Sequence, residues 1–410
     1  MGGAMSGRIP MNARFALHMD RCLTCRACEA ACPSGVHFGK LIDKTRAVLH
    51  LPEIDLPEAA SRARPHWLRK FLARELISKP KRIESLRPFF RFYQSTGLQK
   101  GLRQFRLLNK TKLALLEAQL RLVDKPCNSD GEAGARTWQE IYPNNGRQRG
   151  EVGLFLGCVA RLTDTPTINA AIAVLNHLGY TVHVPRLQTC CGALHQHGGE
   201  LKEAQKLVNR NMAAFEGLGL QAIISTASGC GAHLAEQFAA SSRQTWQERQ
   251  AAVRGNEAHA VNSIPNSQAG SLAARVMDIS AFLAVAEGRD DVRLKPLPCK
   301  IAVHEPCTLR NILRGSTHPY KLLARIPEAR VVPLEGNAQC CGAAGTYFLD
   351  QPRMAQALLD DKLGALKDSG AHYLATSNVG CAMHMAGGAY RAGLKIEVVH
   401  PVTLLARQMV

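Results

Sequence analysis

Thr189-Cys190-Cys191-Gly192 is written twice in this chain: Gln339-Cys340-Cys341-Gly342 repeats it about 150 residues later, in the same surroundings. Upstream of the first pair lies Cys158, closing the apolar run Val152-Gly-Leu-Phe-Leu-Gly, and downstream lies Cys230, closing Ile223-Ile-Ser-Thr-Ala-Ser-Gly. The counterparts are Cys307, after Lys300-Ile-Ala-Val-His-Glu-Pro, and Cys381, after Leu374-Ala-Thr-Ser-Asn-Val-Gly. Spacings of 32 and 39 residues in the first frame stand against 33 and 40 in the second. Two four-cysteine frames that agree to one residue identify an internal duplication.

Around each frame, strand and helix patterns alternate. The first reads as strand 152–156, helix 167–177, strand 181–184, the CCG turn, helix 200–217 and strand 222–225. The second reads as strand 301–304, helix 320–326, strand 330–334, the CCG turn, helix 354–366 and strand 373–376. The exits match as well, Val276-Met-Asp-Ile-Ser-Ala-Phe-Leu against Val399-His-Pro-Val-Thr-Leu-Leu. This βαβ patterning predicts two tandem Rossmann-like domains with parallel sheets. No GxGxxG follows either first strand, so neither is expected to bind a dinucleotide. The polar stretch 241–271 reads as an irregular insertion.

At 410 residues the chain exceeds one ordinary core, and its 20% charged and 46% hydrophobic residues are those of a globular protein. Fourteen cysteines are too sparse for a secreted disulfide scaffold; grouped as CxxC and CCG, they point to ligation in a reducing compartment. The N-terminus carries no apolar signal segment, and no run approaches the roughly 18 apolar residues of a spanning helix. The expected location is cytoplasmic, with room for a peripheral place on the inner face of the cytoplasmic membrane.

Residues 18–43 hold Cys22-Leu-Thr-Cys25-Arg-Ala-Cys28-Glu-Ala-Ala-Cys32-Pro33. This is the C-x2-C-x2-C-x3-C-P run of a ferredoxin-type [4Fe–4S] site, in which thiolates two residues apart wrap one cluster from a tight loop. Zinc favours two well-separated CxxC pairs instead. In two-cluster ferredoxins the fourth cysteine serves the other cluster. Cys32 is therefore idle, closes its own cluster, or belongs with an upstream run; Cys127 and Cys299 are candidate substitutes, or buried inert thiols.

The net charge of +18 is unevenly spread: residues 62–125 hold 17 Lys/Arg against 4 Asp/Glu. Trp67-Leu-Arg-Lys-Phe-Leu-Ala-Arg-Glu-Leu-Ile, Leu86-Arg-Pro-Phe-Phe-Arg-Phe-Tyr and Gly101-Leu-Arg-Gln-Phe-Arg-Leu-Leu read as basic amphipathic helices. They form either a bundle with a solvated basic side or a docking face, Arg62 to Lys125, for anionic lipid or an acidic subunit. No nucleic-acid motif accompanies the charge, so a nucleic-acid partner is not expected. The chain thus divides into a helical ferredoxin-like part at 1–125, a turn-rich linker at 126–149, a first CCG domain at 150–290 and a second at 298–410.

In each frame the cysteines fall at the carboxyl ends of strands, where open α/β sheets place ligands. Adjacent thiols such as Cys190 and Cys191 pair poorly with each other but can face one multi-iron cluster, and Gly192 and Gly342 permit the sharp turn. Tetrathiolate zinc is the alternative occupant. His233 and His384 each follow the last cysteine by three residues and are possible extra ligands or satisfied neighbours. His195 and His197 have no counterpart in the second copy.

The chain resembles the iron–sulfur subunit of glycolate oxidase, within the wider group of paired-CCG proteins to which heterodisulfide reductase also contributes a member. The carrying residues are 18–36, Thr226-Ala-Ser-Gly-Cys-Gly-Ala and Gln339-Cys-Cys-Gly-Ala-Ala-Gly-Thr-Tyr. That family has an earlier cysteine run, so this chain is expected to begin just after it. Where the heterodisulfide reductase frame ends CxxC, His233 and His384 stand here. The resemblance implies an electron-transfer subunit with no catalytic residue of its own, passing electrons from FAD-containing oxidase subunits to a quinone or other respiratory acceptor. It implies a ferredoxin cluster on Cys22, Cys25, Cys28 and Cys32, a centre on Cys158, Cys190, Cys191 and Cys230, and another on Cys307, Cys340, Cys341 and Cys381. The alternatives are a thiol/disulfide redox enzyme, a lactate-oxidation iron–sulfur protein, and a zinc-stabilised scaffold.

Overall fold

A computed structural model describes residues 2–49, 51, 71, 73–86, 88–89, 92–93, 96, 101, 117, 138–144, 146–254, 272–287 and 292–410. Most of the basic segment 62–125, and Cys127, lie outside the described residues.

Two sheets carry the fold. The first has the order β1-β3-β2-β4-β5, formed by Ile141–Tyr142 (β1), Gly150–Phe155 (β2), Tyr180–His183 (β3), Ala222–Ser225 (β4) and Val276–Asp278 (β5). The second has the order β7-β6-β8-β9, formed by Lys300–His304 (β6), Arg330–Pro333 (β7), Tyr373–Thr376 (β8) and Glu397–Val399 (β9). Every pairing between these strands is parallel except the edge pair β1 with β3. Removing β1 leaves two identical topologies, each with its first strand in the middle. The chain leaves β2 or β6 toward one edge and returns to the other side, which opens a crevice at the carboxyl end of that strand.

The pleat sorts each strand between two cores. In β2, Val152 and Leu154 enter the same core as Ile301 and Val303 of β6, whereas Phe155 packs on the opposite face. Ala302 enters a third cluster on the far face of the second sheet. The two halves are therefore not wrapped separately. Helix Thr165–His177 of the first packs on Pro401–Gln408 of the second, and Ile279–Val285 packs on Thr317–Leu323. Each of these contacts pairs a crossover helix with the other half's exit helix, as an approximate two-fold axis demands. Thr167 and Thr403 hydroxyls meet across the seam at 3.2 Å.

The two exits use the same device with different chemistry. Asp278 caps Ile279–Val285, its Oδ1 accepting from Ser280 N at 2.8 Å, and His400 caps Pro401–Gln408, its Nδ1 accepting from Val402 N at 3.1 Å.

Two expectations are corrected. Residues 241–254 are the continuation of one long helix, Ser228–Arg254, because a polar stretch rich in Gln, Arg, Glu and Ala still has good helix propensity; residues 255–271 lie outside the described residues. The supposed linker 126–149 contains β1, whose Ile141 and Tyr142 pair with His183 and Val182. At the N-terminus, helices Ala13–Asp20, Ala27–Ala30 and Phe38–Leu49 surround the cysteine run. No described helix is long and apolar enough to cross a membrane.

Candidate metal centres

All eight frame cysteines, together with Cys22, line one cavity of about 1910 Å³ at the carboxyl ends of the two sheets. In the first frame the thiols neighbour one another in the order Cys158, Cys190, Cys191, Cys230. Cys158 directly precedes helix Val159–Thr163, the CCG pair follows β3, and Cys230 sits in the first turn of Ser228–Arg254. The second frame repeats this order as Cys307, Cys340, Cys341 and Cys381. Cys158, Cys190, Cys191, Cys341 and Cys381 are buried.

The CCG glycines are required twice over. Gly192 and Gly342 have φ of +98° and +89°, where a side chain is strained. A Cβ on Gly342 would also stand 2.7 Å from Ala355 O, and one on Gly192 3.1 Å from Ala204 O and 3.3 Å from His233 Nε2. The following helix is thus packed directly on each turn.

Burial makes four crowded thiols reluctant to ionise without a cation. Its bond with Cys190, then burial, pushes the Cys158 thiol well up. Against the pull of their bonds with Cys158 and Cys190 respectively, Cys190 and Cys191 are pushed up as well, by the next thiol in the row and by burial. The second frame differs. Bonds from Cys307 and Cys341 hold Cys340 well below the usual thiol range, and Cys307 and Cys341 rise correspondingly.

The N-terminal run docks beside the second frame. Cys25 lies close enough to Cys340, Cys22 and Cys28 for their charges to raise its pKa, after the larger effect of burial. Asn311 Nδ2 donates to Cys25 O at 2.7 Å and Tyr347 Oη to Arg21 O at 2.9 Å. Thr24 and Arg26 adopt φ of +52° and +60°, uncommon for residues with side chains, and Thr24 N points at Cys22 Sγ at 3.4 Å. Arg26 fixes this turn by pairing with Glu29 at 2.7 Å and with Glu236 of the first half at 2.8 Å. Cys28 is exposed and Cys32 half-buried. Cys299 immediately precedes β6. That is the amino end of the strand, a five-residue strand's length of roughly 16 Å from the cavity that Cys22 lines, which counts against Cys299 as a substitute for Cys32.

His233 is buried, and its Nε2 has no hydrogen-bond partner among the described residues. Burial, then the nearby His197, lowers its pKa to about 3, so the ring is neutral. His384 is also buried, with its pKa lowered by burial. His195, by contrast, is tied to Glu200 at 2.6 Å and Ser78 at 2.8 Å, a structural role.

Sequence reasoning missed three contributors. His304, at the end of β6, offers a ring nitrogen within 4.8 Å of both Cys341 and Cys381 sulfurs, and its Nδ1 pairs with Thr376 Oγ1 at 2.9 Å. Asn378 Nδ2 donates to Cys381 Sγ at 3.2 Å. Lys362 is buried in helix Pro352–Ser369, with its Nζ donating to Gly336 O at 2.5 Å. The available signal was a polar residue at a core-facing position of a strand or helix.

Comparison with known proteins gives a consistent set of matches. Residues 152–235 and 301–386 each match the model of a cysteine-rich (CCG) domain, and residues 64–120 match that of the linker region of glycolate oxidase iron–sulfur subunits. A probable glycolate oxidase iron–sulfur subunit of Bacillus subtilis is 31% identical over 409 residues, covering 99% of this chain and 85% of the relative. The glycolate oxidase iron–sulfur subunit of Escherichia coli is 28% identical over 373 residues, covering 90% and 78%. Lactate utilization protein A of Geobacillus kaustophilus is 27% identical over 257 residues, covering 62% of this chain and 98% of the relative.

Proposed function

The chain belongs to the family of glycolate oxidase iron–sulfur subunits, and from that premise we propose that it is the electron-transfer subunit of a 2-hydroxy acid oxidoreductase. The observation that carries this reading is one cavity lined by Cys22 and both four-cysteine frames.

The donor set fits iron–sulfur groups. It consists of soft thiols, largely buried and in fours, and His233, whose Nε2 has no hydrogen-bond partner among the described residues, lines the same cavity. We assign Cys158, Cys190, Cys191 and Cys230 to one centre, Cys307, Cys340, Cys341 and Cys381 to a second, and Cys22, Cys25, Cys28 and Cys32 to a ferredoxin-type [4Fe–4S] group in a ferredoxin-like N-terminal part. Such groups supply one-electron transfer when bound. The chain's residues do the rest: the backbone amides of Gly192 and Gly342 bond to the Cys190 and Cys340 sulfurs, and Asn378 Nδ2 and Thr24 N donate to those of Cys381 and Cys22.

The substrate chemistry belongs, in this reading, to FAD-containing partner subunits, with glycolate oxidised there and a quinone or other respiratory acceptor downstream. The domains follow the cysteine groups, at 1–125, 150–290 and 298–410. A cytoplasmic place, with contact to the inner membrane face through the basic segment from Arg62 to Lys125, suits that role. The match to lactate utilization protein A supports a second substrate reading, lactate in place of glycolate, with the same centres.

Anaerobically reconstituted full-length protein tests the assignment by iron and sulfide analysis and by electron paramagnetic resonance after reduction. Well over four irons per chain, with signals from more than one centre, is expected. About four irons plus zinc would favour a scaffold role for the frames, and turnover of a disulfide substrate without a flavin partner would favour a thiol-redox enzyme.

A further inference from the structure

The duplicated frames are not electrostatically equal. The close approach of Gly192 to Ala204 and of Gly342 to Ala355 superposes the two halves. Seven residues beyond those alanines stand Asn211 and Lys362, with relative exposures of 0% and 2%. Asn211 is neutral and satisfied locally: its Oδ1 accepts from Thr189 N at 2.7 Å and its Nδ2 donates to Cys190 O at 2.9 Å. Lys362 has no carboxylate partner among the described residues; burial lowers its pKa, and the nearby Cys341, Cys340 and Cys381 oppose that shift by favouring its charged form.

A second pair differs in the same sense. Arg161 and Arg310 each stand three residues after the first cysteine of their frame. Arg161 is neutralised by Glu84 at 3.0 Å. Arg310 donates to Ala338 O at 2.5 Å and to Asn311 Oδ1 at 3.3 Å, with no carboxylate partner among the described residues. Where the first half has Phe155 at the end of its central strand, the second has His304.

A buried ammonium costs several kcal/mol unless an anion faces it. The anions within reach of Lys362 are the thiolates of the second frame. A fixed positive charge there stabilises whichever oxidation state is more negative, which is the reduced one.

Resting on the iron–sulfur reading above, we propose that the second frame holds the higher-potential of the two centres and that Lys362, supported by Arg310, makes it so. One electron originating in the reduced flavin partner settles at the Cys307, Cys340, Cys341, Cys381 site until a quinone-class acceptor removes it. No bond is made or broken in the chain. Lys362 and Arg310 are positioning residues that act through the field.

The test is a potentiometric titration of the full-length, anaerobically reconstituted protein, followed by electron paramagnetic resonance. Cys191→Ser and Cys341→Ser identify the signals of the first and second frames. The second frame is expected to be reduced at the higher potential. Lys362→Gln should lower its reduction equilibrium constant about tenfold, or about 59 mV for a one-electron couple, and leave the first frame unmoved, while Lys362→Arg retains the wild-type value. Glu84→Gln, which leaves the second frame intact, should raise the first frame's potential by freeing the charge of Arg161, and keeps the proposal testable should Lys362→Gln fail to fold. Coincident titration of the two frames, an unmoved second-frame potential in a folded Lys362→Gln protein, or, should that variant fail to fold, an unmoved first-frame potential in Glu84→Gln, would overturn it. Frames that contain no iron would overturn the underlying reading as well, and are told apart because neither frame then gives a signal.

Discussion

Gln188 and Asn337 perform the same task in the two halves, each standing 30 residues after the first cysteine of its frame. Gln188 Nε2 donates to Leu154 O at 3.1 Å while its Oε1 accepts from Leu156 N at 2.8 Å. Asn337 Nδ2 donates to Val303 O at 2.9 Å while its Oδ1 accepts from Glu305 N at 3.1 Å. Each amide clamps the frayed end of the central strand just before the first cysteine. Gln188 stands two residues before Cys190 and Asn337 three before Cys340. The extra residue of the second frame's 33-residue spacing therefore lies between clamp and CCG pair.

That geometry predicts unequal costs for removing the clamps. Gln188 is fully buried, so Gln188→Ala leaves a buried N–H and C=O unpaired and should cost about 2–4 kcal/mol. Asn337 is half-buried, water can replace it, and Asn337→Ala should cost less. Denaturant midpoints of the full chain measure both; equal losses would refute the distinction.

Substitution of the CCG glycines should separate the two frames. Gly342→Ala meets both an unfavourable φ and the 2.7 Å approach to Ala355 O, whereas Gly192→Ala meets a looser 3.1 Å. We expect Gly342→Ala to lose most of the second frame's iron and Gly192→Ala to lose less of the first's. Metal analysis per chain reads the difference.

Position along the strand discriminates among cysteines. Cys381→Ser removes a buried frame thiol bonded by Asn378 and should strip the second centre. Cys299→Ser, at the amino end of β6, should leave iron content at the wild-type level. A loss of iron in Cys299→Ser would return that residue to the set of ligands.

Asp278 makes part of the stability depend on pH. Burial raises its pKa from 3.8 to about 6, and its Oδ2 has no partner among the described residues. Between about pH 4 and 6 the folded chain holds a proton that the unfolded chain has released, so this contribution stabilises below that window and is lost as pH rises through it. Asp278→Asn keeps the cap to Ser280 N and removes the buried charge. It should raise stability near neutrality by up to about 3 kcal/mol, with little effect at pH 4. Thermal melts of both proteins across that range decide it.

Much of the site was legible because ligation imposes spacing. The cysteines of the CCG frames could be numbered from the repeat alone, and strands 222–225 and 373–376 coincide with β4 and β8. Element ends elsewhere moved by one to three residues, since helix termini such as Thr165 and Thr317 are set by local packing. Residues 241–254 misled because low hydrophobicity says how much surface a segment buries, while propensity says whether it can coil. His304 and Lys362 were invisible for a different reason: a polar residue in an apolar pattern acquires meaning only when its neighbours are known.

The sequence by itself determined the duplication, the parallel α/β class, the cysteine frames and the family, because these depend on residue type and order along the chain. Tertiary structure decided that the two halves share one core, that their thiols and Cys22 line one cavity, and that Lys362 is buried on the side of the second frame, with its Nζ on Gly336 O. Those facts are distances between segments as far apart in the chain as Cys22 and Cys381. They follow from which faces exclude water together, and no local pattern records that choice.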